Sequence, residues 1–507
     1  MLSARALHVA AALLFAAVFI PLGLTRLVDA DEGIYLINAR MTMEGQVPFF
    51  DYYYPQMFLL PYIYAAWMWV TGPSWYGGRL LSSVFTIALG LALVHHVLRT
   101  TRSHVAAGIG ALLFASTSLA FANLPLVKTY AFATLALFVA YSLATWDSVR
   151  WRWLLCGALI GLAIDVRLYL AAAVPIFILA ALRDGAPRRN VHELLGGLAL
   201  ALAPNLYFYL RGPDVFVFNI LGTHGIRSPL GLVGGLAQKG EMLLNMIGIN
   251  ASVGATSFQF KLLLLGNLAW AIACLARRQR PSLAVQIAAV VLVASLLPSP
   301  AYGQYFAILT PFLVLGVVEL GASAARDAAG HAAGLRRQLA GVAGVLVALY
   351  VAVAPIDVWW FTRGGTIVPG VFTRQAVVNW TIPTINAVGR AVDDLMPPGD
   401  RTAFSWWSGY FVETRARVHP LMTNPNTLYM AFGLAPEEVE RYKFMTKAEM
   451  DRHIGMREAP VIVLGNWLTP ESVPPYRRYI LASGYVLARK LGDTEVYVAP
   501  ARTSANP

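Results

Sequence analysis

Apolar runs of membrane-spanning length recur through the first three-quarters of this chain, and nothing else in the sequence narrows the fold as sharply. They fall at about 6–27, 80–98, 105–122, 130–146, 193–210, 258–276, 282–298, 304–320 and 339–361. A helix needs about 20 apolar residues to cross a hydrocarbon core about 30 Å thick. The run 153–182 is roughly twice one span and is interrupted by Asp165-Val166-Arg167, which predicts two helices meeting at the far face. Short halves are tolerated there if the turn is buried in protein rather than lipid. The count is then about eleven spans. Of the 507 residues, 57% are hydrophobic and 13% charged, whereas soluble globular domains are about 45–50% apolar and about 25% charged. The chain is read as a polytopic membrane protein.

The formal net charge of +12 does not indicate a nucleic-acid partner, because the basic residues do not gather on one face of one domain. They fall in short clusters between apolar runs: Arg99 with Arg102, Arg150 with Arg152, Arg183 with Arg188 and Arg189, Arg277 with Arg278 and Arg280, and Arg326 with Arg336 and Arg337. With eleven spans, all of these and Arg5 lie on one side. The positive-inside rule then predicts a cytoplasmic N-terminus and an outside C-terminus. The opposite face carries 28–79, 123–129, the Arg167 turn, 211–257, 299–303 and everything after 362. Met57–Val70 is apolar but short and contains Pro61, so it is expected to lie in the interface; as a span it would invert every later basic loop. Val28-Asp29-Ala30 looks like a cleavage site, but the apolar run before it has the length of a full span and favours a retained first helix. Cys156 and Cys274, both inside apolar runs, are too few and badly placed for a disulfide framework or a zinc site.

From about Thr362 charged residues become frequent and the spans stop. Gln375–Leu395 has helical apolar spacing and ends before Pro397-Pro398-Gly399. Arg401–Trp407 and Pro460–Leu464 are expected to be buried strands. Tyr485–Lys490 and Glu495–Ala499 flank Gly492-Asp493 as a hairpin. Pro436–Asp451 and Pro474–Ser483 are expected helices, so a small α/β domain is predicted. Asn379-Trp380-Thr381 matches the glycosylation sequon, a pattern common by chance. The Ala-rich stretch Ala322–Ala333 is expected to be a loop.

Asp31-Glu32 follows the first apolar run. Acidic residues beside hydrocarbon are costly and are functional candidates by default. A carboxylate in a half-dry setting can act as a general base; equally, Asp29 or Asp31 can simply cap a helix start. The outer-face cations Arg40, Arg79, Lys128, Arg167, Arg211 and Arg227, with His224 nearby, can bind a lipid phosphate or snorkel to the headgroups. Arg167 stands apart, because a charge in the middle of an apolar stretch must be paired or used. Tyr302-Gly303-Gln304-Tyr305, with Pro311 beyond, could reach a sugar or phosphate, although tyrosine also favours membrane interfaces for amphipathic reasons alone. His95 and His96 are adjacent on a helix and point apart. Trp406-Trp407 could stack on a sugar, with strand-core packing the simpler reading. No metal-ligand motif and no Gly-rich phosphate loop is present.

The acidic pair, the loop Asp51-Tyr52-Tyr53-Tyr54-Pro55-Gln56, the apolar juxtamembrane segment and Arg79 opening the second helix together resemble the first outer loop of GT-C glycosyltransferases. More narrowly, the chain is similar to the protein O-mannosyltransferase and aminoarabinose transferase-like group, which uses polyprenyl-phosphate sugars. Asp31-Glu32 falls on that group's Asp-Glu motif. Gly161-Leu162-Ala163 leading to Arg167 resembles its fifth-to-sixth helix stretch, and Gln304-Tyr305 with Pro311 resembles its Tyr-to-Pro helix. The resemblance covers nearly the whole chain. It departs where Tyr53-Tyr54 replace the Glu-Lys pair that aminoarabinose transferases carry before the loop proline, and where Lys128 stands in a second outer loop that often holds an acidic residue.

The resemblance implies an all-α polytopic membrane bundle of about eleven transmembrane helices over 1–361, with juxtamembrane helices and an outer α/β domain over 362–507. It implies an inverting glycosyltransferase in a bacterial cytoplasmic (inner) membrane. The sugar would move from a polyprenyl-phosphate donor to a hydroxyl of an acceptor lipid, glycan or protein at the outer face. Membrane lipids are further partners, and nucleic acid is not one. Asp31 would be the base, with Glu32, Asp51 and Tyr54 supporting it or the acceptor. Arg79, Lys128, Arg167, His224, Arg227, Gln304 and Tyr305 would hold the lipid phosphate and donor. No cofactor is assigned with certainty, and a divalent metal is left open with no ligands assigned. The alternative is a polytopic transporter or lipid flippase, for which internal repeats and midplane charges are the usual signs. No repeat is seen, and the charges cluster at one face. A third reading is a non-catalytic assembly protein whose outer domain binds a partner.

Overall fold

The computed structural model describes residues 3–227, 231–250, 254–328, 333–365, 380–399, 401–465, 468 and 472–500. Asn379 of the sequon and the start of the helix expected from Gln375 lie outside them. Among the described residues, five helices are long and apolar enough to cross a membrane: Ala4–Thr25, Trp75–Thr101, Ala255–Ala276, Gly303–Ala328 and Ala340–Gly364. Pro187–Leu202 and Pro204–Arg211 are apolar and long enough only as a pair, bent by 47°; the bend falls at a proline, which removes a helix hydrogen bond. The shorter apolar helices His104–Ser116, Tyr130–Ala144, Arg152–Ile164, Leu168–Leu182 and Leu283–Ala294 occupy the remaining expected runs. Leu59–Thr71, covering most of the expected interfacial segment, is a helix of 13 residues and is too short to span.

The chain divides into two compact units that are discontinuous in sequence. The first comprises Met1–Arg26, Arg79–Phe208 and Ser228–Ala376 and has no strand among its described residues. Its helices approach closely through small residues. A Cβ added at Gly157 would lie 1.9 Å from Leu194 O, one at Gly197 2.0 Å from Leu154 O, and one at Gly161 2.5 Å from Ala201 Cβ. Gly157 and Gly161 on one helix thus face Gly197 and Ala201 on the next, the small-residue packing that lets membrane helices touch backbone to backbone. At one end of this pair Arg152 bonds Asp147 and Asp184. At the other, Asn205 donates to Asp165 Oδ1 at 2.6 Å.

Two expectations within this unit need correction. The run 105–122 is not one helix; it breaks at Thr117 between His104–Ser116 and Ser118–Asn123. Gln259 supplies the bonds lost at the break: its Oε1 accepts from Ser118 N–H at 2.7 Å, and its Nε2 donates to Ser116 O and Tyr350 O at 2.8 Å. Such re-satisfaction is required wherever backbone is broken inside an apolar surround. Ala322–Ala328, expected as loop, continues the helix Thr310–Ala328, in keeping with alanine's high helix propensity.

The second unit comprises Leu27–Gly78, Tyr209–Arg227 and Val377–Pro507. Its sheet contains β1 (Thr402–Ser405), β2 (Arg417–Val418), β3 (Val461–Leu464), β4 (Val486–Leu491) and β5 (Thr494–Val498) in the order β2-β1-β3-β5-β4. β1 runs parallel to β2 and β3, while β5 is antiparallel to β3 and β4. The central strand β3 is apolar and buried along its whole length, whereas edge strand β4 is mostly exposed and carries Arg489 and Lys490, charges that discourage edge pairing. The two-residue turn between β4 and β5 has φ +62° at Gly492, the position where a type II′ turn needs glycine. The helix Ile382–Leu395 buries Ile382, Ile385, Val388 and Val392, the one-face spacing of an amphipathic helix.

Pro436–Asp451, expected as one helix, is two: Pro436–Arg441 and Lys447–Gly455. Lys443 at φ +60° turns the chain between them, and Thr446 with Glu449 forms a capping box that starts the second. The segment after Leu27 contains the helix Ala30–Met43.

Candidate active site

Asp29, Asp31 and Glu32 open the helix Ala30–Met43 in the second unit. Asp29 is the N-cap and accepts from Asp31 N–H at 3.1 Å, while Glu32 Oε1 accepts from Asp29 N–H at 2.8 Å. This reciprocal box satisfies backbone donors that would otherwise be orphaned at the helix start. The capping alternative therefore describes Asp29 and the fully buried Glu32. From Asp31 the cap takes the backbone N–H, and its half-buried carboxyl group follows at the second helical position. Trp407 fixes this turn: its indole N–H donates to Ala30 O at 2.8 Å. A Cβ at Gly33 would lie 2.6 Å from both Gly409 Cα and Trp407 Cζ2. Trp407 also stacks on Trp380 at 4.4 Å and is wholly buried, so this tryptophan packs, and its packing positions the acidic turn.

The Tyr/Pro loop belongs to the same unit. Asp51 is exposed and its Oδ2 accepts from Val47 N–H at 2.7 Å, closing a local turn. Tyr52, Tyr53 and Tyr54 are buried. Tyr54 N–H donates to Asn219 Oδ1 at 3.1 Å, and its ring lies edge-on to Tyr35 at 6.4 Å. Tyr53 meets Phe444 edge-on at 4.7 Å. Burial pushes the Tyr53 phenol well above its ordinary range, while a hydrogen bond with Thr223 and the charge of Arg227 oppose this less strongly. The phenol therefore stays protonated. His224 lies beside Thr223 in the short helix Thr223–Ile226, half-buried like Arg227.

A second constellation lies within the first unit. Arg167 follows the helix Arg152–Ile164 and is 5% exposed. Its guanidinium lies 4.6 Å from the centre of the Tyr305 ring, 5.0 Å from Tyr130 and 5.1 Å from Tyr169, and Nη1 donates to Thr129 Oγ1 at 2.9 Å. The ammonium of buried Lys128 lies 5.9 Å from the same Tyr130 ring. Electron-rich ring faces stabilise cations out of water by about 0.5–2 kcal/mol each, which makes burial of this arginine affordable. Two cations held over one ring also repel, and an anion relieves that repulsion. Gln304 is half-buried in the turn Gly303–Leu309 that carries Tyr305.

Arg79 lies in the same unit. It is fully buried, and its Nη1 donates to Gly23 O at 2.8 Å and Arg26 O at 2.7 Å, the carbonyls at the end of the helix Ala4–Thr25. Arg40 pairs with Glu44 at 2.9 Å, and Arg211 lies 4.4 Å from the Phe50 ring centre. Residues not singled out from sequence complete both constellations: Thr129, Tyr130 and Tyr169 around Arg167, and Asn219, Thr223 and Phe444 around Tyr53 and Tyr54. One signal was available. Lys128 and Arg167 are each followed two residues later by a tyrosine, Tyr130 and Tyr169.

No family model matches the sequence, and no curated protein does so either. Solved structures do match. ArnT from Cupriavidus metallidurans bound to undecaprenyl phosphate superposes with a TM-score of 0.64 at 15% identity, over 99% of this chain and 98% of that one. The same protein in its apo state gives a TM-score of 0.60 at 14% identity, over 97% of each chain. The fold is therefore the GT-C fold that the resemblance implied, along the whole chain.

Proposed function

We propose that this protein is an inverting glycosyltransferase that moves a sugar from a polyprenyl-phosphate donor to an acceptor hydroxyl. The observation that carries the proposal is the buried Arg167 guanidinium in its cage of Tyr130, Tyr169 and Tyr305, with Lys128 over the same ring. The whole-chain likeness in fold to a protein solved with undecaprenyl phosphate supports a lipid phosphate as the anion those cations attract. The reaction takes place at the outer face of a bacterial cytoplasmic membrane. The basic clusters between apolar segments support that orientation, with 1–361 as the membrane part and 362–507 as the outer domain.

The charge balance explains why such a cage is useful. The donor is a phosphodiester with one negative charge. The acceptor oxygen bonds to the anomeric carbon, and the bond from that carbon to the phosphate oxygen breaks with inversion. The acceptor proton passes to Asp31, and polyprenyl phosphate leaves with one further negative charge. Fixed cations at the growing charge stabilise the transition state more than the ground state. Arg167 and Lys128 perform this role, and Tyr305 and Gln304 flank it. In the second unit Glu32 holds the backbone that carries Asp31, Asp51 closes the adjoining loop, and Tyr54, His224 and Arg227 contribute to acceptor or donor binding. Arg79 supports the end of the first helix.

The test is transfer by purified protein from undecaprenyl-phosphate-linked sugars to envelope lipids and glycans, with released undecaprenyl phosphate and the glycosylated product measured together. Asp31→Asn is expected to lose nearly all transfer while still binding undecaprenyl phosphate. Full turnover in that variant removes Asp31 as the base, and sugar-lipid uptake without any product moves the protein to the transporter class.

A further inference from the structure

Three potential metal-binding side chains meet in the second unit, far along the chain from the acidic turn. His419, His453 and Glu458 each offer a ligand atom, and all three atoms lie within 4.8 Å of one another. They come from the end of β2 and from the helix Lys447–Gly455 with the residues that follow it. His453 sits in the last turn of the helix Lys447–Gly455. Arg457 then takes φ +52°, and Glu458 N–H donates back to His453 O at 3.1 Å. This left-handed helix ending folds Glu458 onto the turn it has just left, and its carboxylate bonds His453 Nδ1. His419 follows β2 directly, and its N–H donates to Ala403 O at 3.2 Å on β1. Its ring stacks on Phe404 at 4.8 Å and lies 4.9 Å from the His453 ring. The His453 side chain is 12% exposed and that of Glu458 34%, so the cluster is backed by an aromatic floor and open on one side.

We propose that His419, His453 and Glu458 form a binding site for a first-row divalent transition metal, with zinc the natural occupant. Two imidazoles and one carboxylate suit zinc, copper or nickel and not the hard cations magnesium and calcium. Three protein ligands leave a fourth tetrahedral position for water. Bonds of about 2.0–2.2 Å to zinc put ligand atoms about 3.3 Å apart, so closure requires movements of at most about 1.5 Å. The Leu421 N–H lies 3.4 Å from His419 Nδ1, beyond the usual hydrogen-bond range of 2.7–3.2 Å, and so does not lock that ring.

Arg452 stands in the ion's way. Its guanidinium lies 3.4 Å from Glu458 Oε1 and 3.2 Å from His453 Nε2, where a cation belongs. Its side chain is 53% exposed, so it can swing into solvent when metal arrives. The bound ion would tie the end of β2 to the helix Lys447–Gly455 and so brace the sheet.

The test is zinc titration of the full-length, tag-free protein in detergent, by calorimetry and by the visible spectrum of cobalt as a substitute ion. The expected result is one equivalent of zinc per chain and a low-coordination cobalt spectrum. Binding should weaken by at least about tenfold in His419→Gln and in Glu458→Gln and be lost in the double variant His419→Gln, His453→Gln, each with wild-type tryptophan emission. Arg452→Ala, which removes no ligand, should bind zinc more tightly. Wild-type stoichiometry in the double variant, absence of zinc binding by the folded wild type, or unchanged or weaker affinity in Arg452→Ala overturns the proposal.

Discussion

Replacing Arg167 tests the functional reading most directly. Arg167→Met removes the charge but keeps a long apolar side chain among Tyr130, Tyr169 and Tyr305. Three ring contacts at 4.6, 5.0 and 5.1 Å contribute about 0.5–2 kcal/mol each when desolvated. Methionine recovers part of this through sulfur–aromatic contacts of about 0.3–1.5 kcal/mol, so a net stability loss of about 1–3 kcal/mol is expected. The catalytic loss is larger: removing one fixed donor from a developing anion costs about 3–4 kcal/mol, or about 10²–10³ in kcat. Arg167→Lys retains the charge but not the planar fork, and it loses the geometry that joins Thr129 to the rings. Its kcat should fall about tenfold, with stability closer to wild type. The assay is single-turnover release of undecaprenyl phosphate, set beside thermal unfolding in detergent. Competition by added undecaprenyl phosphate should weaken in parallel with kcat. A folded Arg167→Met protein whose kcat and inhibition stay within about twofold of wild type would refute the phosphate role assigned to the cage.

Other expectations follow from close approaches and buried charge. Gly33→Ala places a Cβ 2.6 Å from Gly409 Cα and the Trp407 ring; overpacking of this kind costs about 1–3 kcal/mol. The acidic turn should shift, so transfer should fall more steeply than undecaprenyl phosphate binding, and equal losses in both would contradict this. Gly197→Val collides with Leu154 O and should lower the unfolding temperature of the membrane part, whereas the neighbouring Gly196→Val, whose Cβ meets only the end of Leu154 at 3.9 Å, should change it little. In the second unit, burial pushes Glu495 up, but hydrogen bonds from Arg477 and Tyr497 prevail and hold its carboxyl below the ordinary value of 4.5. A depressed carboxyl stabilises the fold above its unfolded value and ceases to do so as pH falls through the folded one. The unfolding temperature should therefore drop on acidification below about 4.5, and Arg477→Ala should lose about 1–2 kcal/mol at neutral pH and show a flatter acid limb. An unaltered acid limb in that variant would assign the pH dependence elsewhere.

The fold was legible wherever one local pattern sufficed. Each apolar run has a helix, because spanning length is set by bilayer thickness rather than by packing partners. The hairpin at Gly492-Asp493 and the buried β3 were likewise visible in turn chemistry and an unbroken Val-Ile-Val-Leu run. Errors arose where distant partners decide. The break at Thr117 depends on Gln259, more than a hundred residues away, to satisfy the freed backbone groups. The glycines that let Arg152–Ile164 meet Pro187–Leu202 could have been noticed from their four-residue spacing. Ala322–Ala328 shows that alanine-rich composition is better evidence for helix than for loop.

The candidate site was legible as a set of residue types and illegible as a set of roles, and the cations show why. From sequence, Arg40, Arg79, Lys128 and Arg211 are equivalent charges near one membrane face, and Arg167 stands apart only by its place within an apolar stretch. What separates them is the chemistry of the group each one meets. Arg79 meets backbone carbonyls 53 and 56 residues earlier. Arg40 meets a carboxylate one turn away, and Arg211 a phenylalanine ring. Arg167 meets three phenols, one of which, Tyr305, lies 136 residues beyond Tyr169. A carboxylate neutralises a cation and so weakens its attraction for a phosphate. A tyrosine face stabilises a buried cation through the electrons of its ring. At Lys128-Thr129-Tyr130 and Arg167-Leu168-Tyr169 each cation meets the ring of the tyrosine two residues on, a local relation that the sequence does display.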